Sequence, residues 1–223
     1  MKHLLVVLIM LCSAAANAMA APPAEKPAAA PPAATKAAAP PAAAPAKAKA
    51  ADVDSLRLLE KAIARDSSKV DNLYRLGIMY LDRDRPAEAI TVLGKAYEKQ
   101  PKNLKLLVNL GAAHDAQGHG ETAQRLYREA LAVAPGDSVA SCRLASSLYA
   151  GGKQQEAVDL LRSVIQRSPA SYCAYFTLGV AFADAGIYRD AIRMWKKVVE
   201  LAPTSSEAIS AQESITVLQK FVE

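Results

Sequence analysis

LKLLVNLGAAHDAQGHGETAQRLYREALAVAPGD, residues 104–137, runs directly into SVASCRLASSLYAGGKQQEAVDLLRSVIQRSPAS, residues 138–171. Laid one over the other, the two stretches match Leu110 with Leu144, Gly118 with Gly152, Ala123 with Ala157 and Pro135 with Pro169, each pair 34 residues apart. The same step extends in both directions, through Leu76, Leu110, Leu144 and Leu178, through Ala89, Ala123, Ala157 and Ala191, and through Pro101, Pro135, Pro169 and Pro203. Three residue types held in register over four periods establish an internal repeat. A period of this length marks a stack of identical supersecondary units.

Each unit contains two blocks of apolar residues at helical spacing, as in Leu73, Leu76 and Tyr80 followed by Ala89, Leu93 and Ala96. The spacing predicts two amphipathic helices per unit. Gly118, Gly152 and Gly186 close the first helix at a shared position, where a left-handed cap costs glycine little. The first unit carries Asp84-Arg85-Pro86 instead, with proline opening its second helix. Each second helix ends at the shared proline, which cannot extend the backbone ladder. Asn103, Asp137, Ser171 and Ser205 follow two residues later, and all four are residue types that cap the next helix.

Cut at this period, the units are 70–103, 104–137, 138–171 and 172–205. Their eighth position holds Gly77, Gly111, Ala145 and Gly179, and their eleventh Tyr80, His114, Leu148 and Phe182. Leu93, Tyr127, Leu161 and Trp195 occupy the twenty-fourth, and Ala96, Ala130, Val164 and Val198 the twenty-seventh. This pattern closely resembles the tetratricopeptide repeat family across residues 70–205. The resemblance implies an all-α fold, an α-solenoid of helix-turn-helix hairpins. Leu59, Ala62 and Ile63 place a half repeat at 51–69, with Ser67 where the proline would stand. Residues 206–223 read as a capping helix, with Gln212 and Glu213 replacing the Leu-Gly of the pattern. Ten helices are expected.

The first twenty residues read as an export signal, with Lys2, an apolar run from Leu4 to Leu11, and small residues thereafter. Cleavage is expected before Met19 or Ala21, taking Cys12 with it, and leaves no stable membrane span. Residues 21–50 are almost wholly Ala, Pro and Lys and bury too little to offset the entropy of ordering. They read as a disordered tether that reaches roughly 90 Å if stiff throughout. These expectations make the protein periplasmic or secreted.

The net charge of +5 is concentrated in those segments, since Lys2 and the tether supply four of the five and residues 51–223 carry only +1. A nucleic-acid reader needs a basic face on the folded domain itself, so that class is disfavoured. Of the mature histidines, His114 takes a hairpin-core position, where its ring nitrogens are expected to bond locally, and His119 sits in a turn. Neither belongs to a metal motif and no glycine run forms a phosphate cradle. The reading is therefore a non-enzyme with no metal or cofactor.

Stacked hairpins leave their first helices lining a concave face. In proteins similar to this one, ligand segments touch the second, fifth, sixth, ninth, twelfth and thirteenth positions. By position this implies a groove of Tyr74, Ile78, Leu81, Val108, Ala112, Ser146, Tyr149, Phe176 and Val180, with Asn109 and Arg143 as its polar groups. A subset of the family grips a chaperone carboxylate through two Lys, two Asn and an Arg. Asn109 and Arg143 match that set, but Tyr74, Ile78 and Val139 stand at the other positions, so the clamp is incomplete. The partners expected are other exported or envelope proteins or peptides, held by aromatic anchors, and the aromatics alternatively pack between units. A structural envelope spacer, whose basic tether contacts wall or membrane and whose repeats self-associate, is the second reading. Cys142 and Cys173, on neighbouring first helices, either form a disulfide or remain two buried thiols.

Overall fold

The computed structural model describes the secondary structure of residues 46–222 and the side chains of residues 55–222. The expected leader 1–20 and most of the expected tether, residues 21–45, lie outside the described residues. Among the described residues ten helices follow one another: α1 (Ala46–Arg65), α2 (Val70–Leu81), α3 (Pro86–Lys99), α4 (Leu104–Ala116), α5 (Gly120–Val133), α6 (Ser138–Ala150), α7 (Gln154–Arg167), α8 (Tyr172–Asp184), α9 (Tyr188–Leu201) and α10 (Ser206–Gln219). There is no strand among the described residues. One expectation needs correction: α1 begins inside the stretch 21–50. Past Pro45 the chain reads Ala-Lys-Ala-Lys-Ala, strong helix formers with no proline to stop them.

Contacts run in one direction. α2 packs on α3, α4 on α5, α6 on α7 and α8 on α9 as hairpins, and each second helix also packs on the next first helix. Successive first helices touch as well, so α2, α4, α6, α8 and α10 form one continuous row. The hairpins close tightly because the eighth position is small. A Cβ on Gly77 would overlap the Leu93 side chain, one on Gly111 the Tyr127 ring, and one on Gly179 the Trp195 indole. Ala89, Ala123, Ala157 and Ala191 are fully buried at their shared position, where no larger side chain fits between packed helices.

The turns obey the same local rules. Gly118, Gly152 and Gly186 adopt φ of 80°, 81° and 75°. Asp84 occupies the equivalent place in the first unit and takes the same left-handed backbone at φ 55°, a conformation Asp tolerates better than most residues. Asn103 accepts from the Lys105 and Leu106 amides, Asp137 from Ala140, and Ser205 from Ala208. Ser171 does not cap α8, contrary to expectation, because its hydroxyl lies 3.3 Å from the Cys173 sulfur instead.

Side-chain bonds stitch units together. Tyr80 donates to the Glu60 carboxylate at 2.8 Å, fastening the half repeat α1 to α2, and Tyr97 donates to Glu129 at 3.0 Å between α3 and α5. At the other end, α10 exposes Gln212 and Glu213 and leaves Ile209 59% and Val217 55% exposed, and Phe221 just past its end is 53% exposed. This end of the array is thus less polar than a cap facing water requires.

The tight crossing is testable against an internal control. Gly111→Ala forces Tyr127 to move and is expected to lower the unfolding free energy by about 1–3 kcal/mol. Gly94 lies inside α3 with open space around its missing Cβ, so Gly94→Ala should raise it by about 0.5–1 kcal/mol. Urea midpoints moving in opposite directions bear this out; equal shifts contradict it.

Candidate functional site

The row of first helices carries a strip of half-buried residues. Tyr74, Ile78, Leu81, Asn109, Ala112, Tyr149, Phe176 and Val180 are partly exposed, Val108 and Cys142 are buried, and Arg143 and Ser146 are open to solvent. Residues at the same position of each unit fall on this strip because the period is strict. Near its amino-terminal end the first turns of α2 and α4 enclose a hollow of about 440 Å³, lined by Val70, Asp71, Tyr74, Leu104, Lys105 and Leu106 among others.

The aromatic side chains serve two purposes at once. The Tyr74 hydroxyl accepts from Asn109 Nδ2 at 3.3 Å, bridging α2 and α4, and the same amide nitrogen donates to the Lys105 carbonyl at 2.8 Å. Asn109 is thus anchored inside its own groove, its donor already engaged. Tyr149 reaches the Ala181 carbonyl on α8 at 3.5 Å. Burial, then the nearby Asp184 carboxylate, push its hydroxyl pKa up. Phe176 packs beside the core of α9 and α10, and its carbonyl accepts from Trp195 Nε1 at 3.2 Å. Packing between units and lining of the strip are not alternatives for these rings.

A polar cluster that sequence reasoning missed lies between the second and third units. Asp115 accepts from the Tyr127 hydroxyl at 2.9 Å and the Ser147 hydroxyl at 2.8 Å, and Gln124 Nε2 donates to the Ser147 carbonyl at 3.2 Å. Burial pushes the Asp115 carboxyl above the ordinary aspartate value, against those two hydrogen bonds and the Arg143 charge. Burial and the Asp115 charge push the Tyr127 phenol far up as well, so it stays a donor. The signal was present in the period: the twelfth position holds Leu81, Tyr149 and Ala183 elsewhere, and only Tyr127 brings a hydroxyl to the twenty-fourth.

His114 departs from expectation. Its Nδ1 is buried without a hydrogen-bond partner, and burial, reinforced by His119, holds its pKa down. The two imidazoles lie 5.7 Å apart, but among the described residues no cluster of His, Cys, Asp or Glu is placed to hold a metal ion. No helix among the described residues is long and apolar enough to cross a membrane. Cys142 and Cys173 are joined by a disulfide, with their Cα atoms 6.2 Å apart.

Family models described as tetratricopeptide repeat match residues 54–103, residues 80–141, and residues 142–171 with 174–205. Among curated proteins, the chain is 25% identical over 138 residues to the probable UDP-N-acetylglucosamine–peptide N-acetylglucosaminyltransferase SPINDLY of Hordeum vulgare, covering 59% of this chain and 15% of that one. It is 31% identical over 100 residues to the uncharacterized protein y4yS of Sinorhizobium fredii (strain NBRC 101917 / NGR234), covering 45% and 55%. The matched regions are thus a small part of the first relative and about half of the second. Among solved structures, a thermophilic TPR protein of Thermus thermophilus superposes with a TM-score of 0.64 at 17% identity, over 76% of this chain and 93% of that one. MamA gives 0.58 at 23%, over 74% and 94%. YrrB, a TPR protein with an unusual peptide-binding site, gives 0.53 at 22%, over 75% and 86%. At these identities the solved structures bear on the fold alone.

The Asp115 cluster yields a pH test. The folded chain holds this proton more tightly than the unfolded one. The resulting stability is complete below the ordinary value of 3.8 and is lost as pH rises through the raised one. Asp115→Asn keeps an acceptor for either hydroxyl and removes the titration. The stability of the wild type relative to the variant should be greatest below the ordinary value of 3.8 and fall as pH rises above it. A flat difference in urea unfolding would show that the carboxyl is not perturbed.

Proposed function

Because this chain belongs to the tetratricopeptide repeat family, whose members act as protein-interaction scaffolds, we propose that it is a non-catalytic adaptor of the cell envelope. It holds an apolar or amphipathic segment of another exported protein along the row of first helices. The observation that carries this is the half-buried strip itself. Tyr74, Ile78, Leu81, Tyr149, Phe176 and Val180 each keep part of their apolar surface in water, and a partner segment gains by covering it. The Tyr74 and Tyr149 rings, already held by hydrogen bonds, lose little freedom when a ligand arrives.

The peptide-binding site that YrrB is named for fits this reading, as does the near-neutral charge of residues 51–223, which suits a protein partner better than a nucleic acid. The barley relative is named as a glycosyltransferase, but the match spans 15% of it, and the motifs of this chain offer no counterpart to such chemistry. Export to the periplasm or the exterior is supported by the leader-like start of the sequence, and by a disulfide, which persists in oxidising compartments. A second reading, a spacer whose repeats self-associate, draws support from Ile209 and Val217 exposed on α10 and Phe221 exposed just past its end.

The groove is tested with the protein purified from its native envelope and its co-purifying proteins identified by mass. Tyr74→Ala combined with Phe176→Ala should weaken their capture by at least about tenfold, as truncating aromatic anchors does, while helicity measured by circular dichroism stays unchanged. Undiminished capture refutes the groove. Concentration-dependent dimerisation that Val217→Ser with Phe221→Ser abolishes favours the spacer instead.

A further inference from the structure

The junction between the third and fourth units is built differently from the others. Where Asn103, Asp137 and Ser205 cap the helices that follow them, Ser171 makes no side-chain cap. Its ψ is 84°, against 110° at Asn103, 115° at Asp137 and 156° at Ser205. α8 packs less extensively on α7 than α4 does on α3, α6 on α5, or α10 on α9. It packs more extensively on α6 than any other successive pair of first helices does. At the start of α8, Cys173, its second residue, is bonded to Cys142 in α6. The fastening that capping and second-helix packing supply elsewhere is here covalent.

We propose that the Cys142–Cys173 disulfide is a redox-controlled clamp on the groove. Oxidised, it holds the first turn of α8 against α6 and fixes the spacing of Tyr149, Phe176 and Val180. Reduced, it releases that turn, which has no side-chain cap to fall back on. The reductant is a dithiol. Its thiolate attacks the sulfur of Cys173, which is partly exposed where Cys142 is 6% exposed, and Cys142 leaves as a thiolate that takes up a proton. The second thiol of the reductant then attacks the mixed disulfide. Cys173 leaves as a thiolate and is protonated, and the reductant departs as its own disulfide, so two electrons and two protons have moved to the chain. What the clamp does for a bound segment rests on the groove reading above; the clamp itself does not.

Hydrogen exchange on the full chain tests it without any ligand. Adding dithiothreitol should speed exchange of the amides in residues 172–180 by roughly 30-fold or more, the scale a disulfide loop implies. The amides of α4 should change by less than about threefold over the same comparison. The double variant Cys142→Ala with Cys173→Ala should match the reduced chain and be indifferent to dithiothreitol. If that variant does not fold, the comparison of oxidised and reduced wild type decides alone. Two free thiols before reductant is added, an α8 that exchanges equally in both states, or an acceleration as large in α4 as in α8 would each overturn the clamp. A clamp that holds while Tyr74→Ala with Phe176→Ala leaves capture intact separates the two proposals.

Discussion

The structure depends on how closely two helices cross within each hairpin. At the eighth position a glycine lets the backbone approach until Leu93, Tyr127 or Trp195 lies directly over it, and this side chain then occupies the space a Cβ would have taken. The third unit places Ala145 and Leu161 at the same two positions, both buried. Because the crossing is the same each time, every first helix emerges on the same side. That regularity, not any single contact, is what makes a row of first helices and a strip along it.

The choice of residue at the crossing has consequences further out. Leucine brings no polar atom into the core, but Tyr127 and Trp195 each bring one, and a buried donor must find an acceptor. Trp195 uses the Phe176 carbonyl, which ties the crossing of the fourth unit to a residue of the strip. Tyr127 uses Asp115, and the acid in turn needs a second donor, supplied across the unit boundary by Ser147. A core-filling decision in the second unit thus places a charged group at a groove position and joins the second unit to the third.

Much of this was legible in the sequence because a strict period turns residue numbers into positions. The ten helices, the tight crossings and three of the four inter-unit caps follow from residue type at a given place in the unit. What the period hides is any feature that differs from one unit to the next. Ser171 is a good cap by type, yet its hydroxyl faces sulfur, and only the path of α8 reveals it. His114 fits the core by position, but no neighbour answers its Nδ1. Tyr74 and Tyr149 could not be assigned to packing or to the strip from spacing alone, because their hydroxyls reach partners 35 and 32 residues away. The start of α1 at Ala46 was obscured by composition, since Ala and Lys serve a tether and a helix equally well until the last proline has passed.

The two ends of the array are unequal for a related reason. α1 stands where a second helix belongs and α10 where a first helix belongs, so in principle the end of one copy and the start of another make up a complete hairpin. The residues at the crossing argue against it. A first helix needs a small residue at the eighth position and an apolar one at the seventh, and α10 presents Glu213 and Gln212, both exposed. Closing a second helix over Glu213 buries a carboxylate where even a methyl group displaces its neighbour in three of the four complete units. Ile209 lies on that same closing face and keeps its exposure as a result. A closing second helix is therefore kept off α10 by the one position that every complete hairpin keeps small.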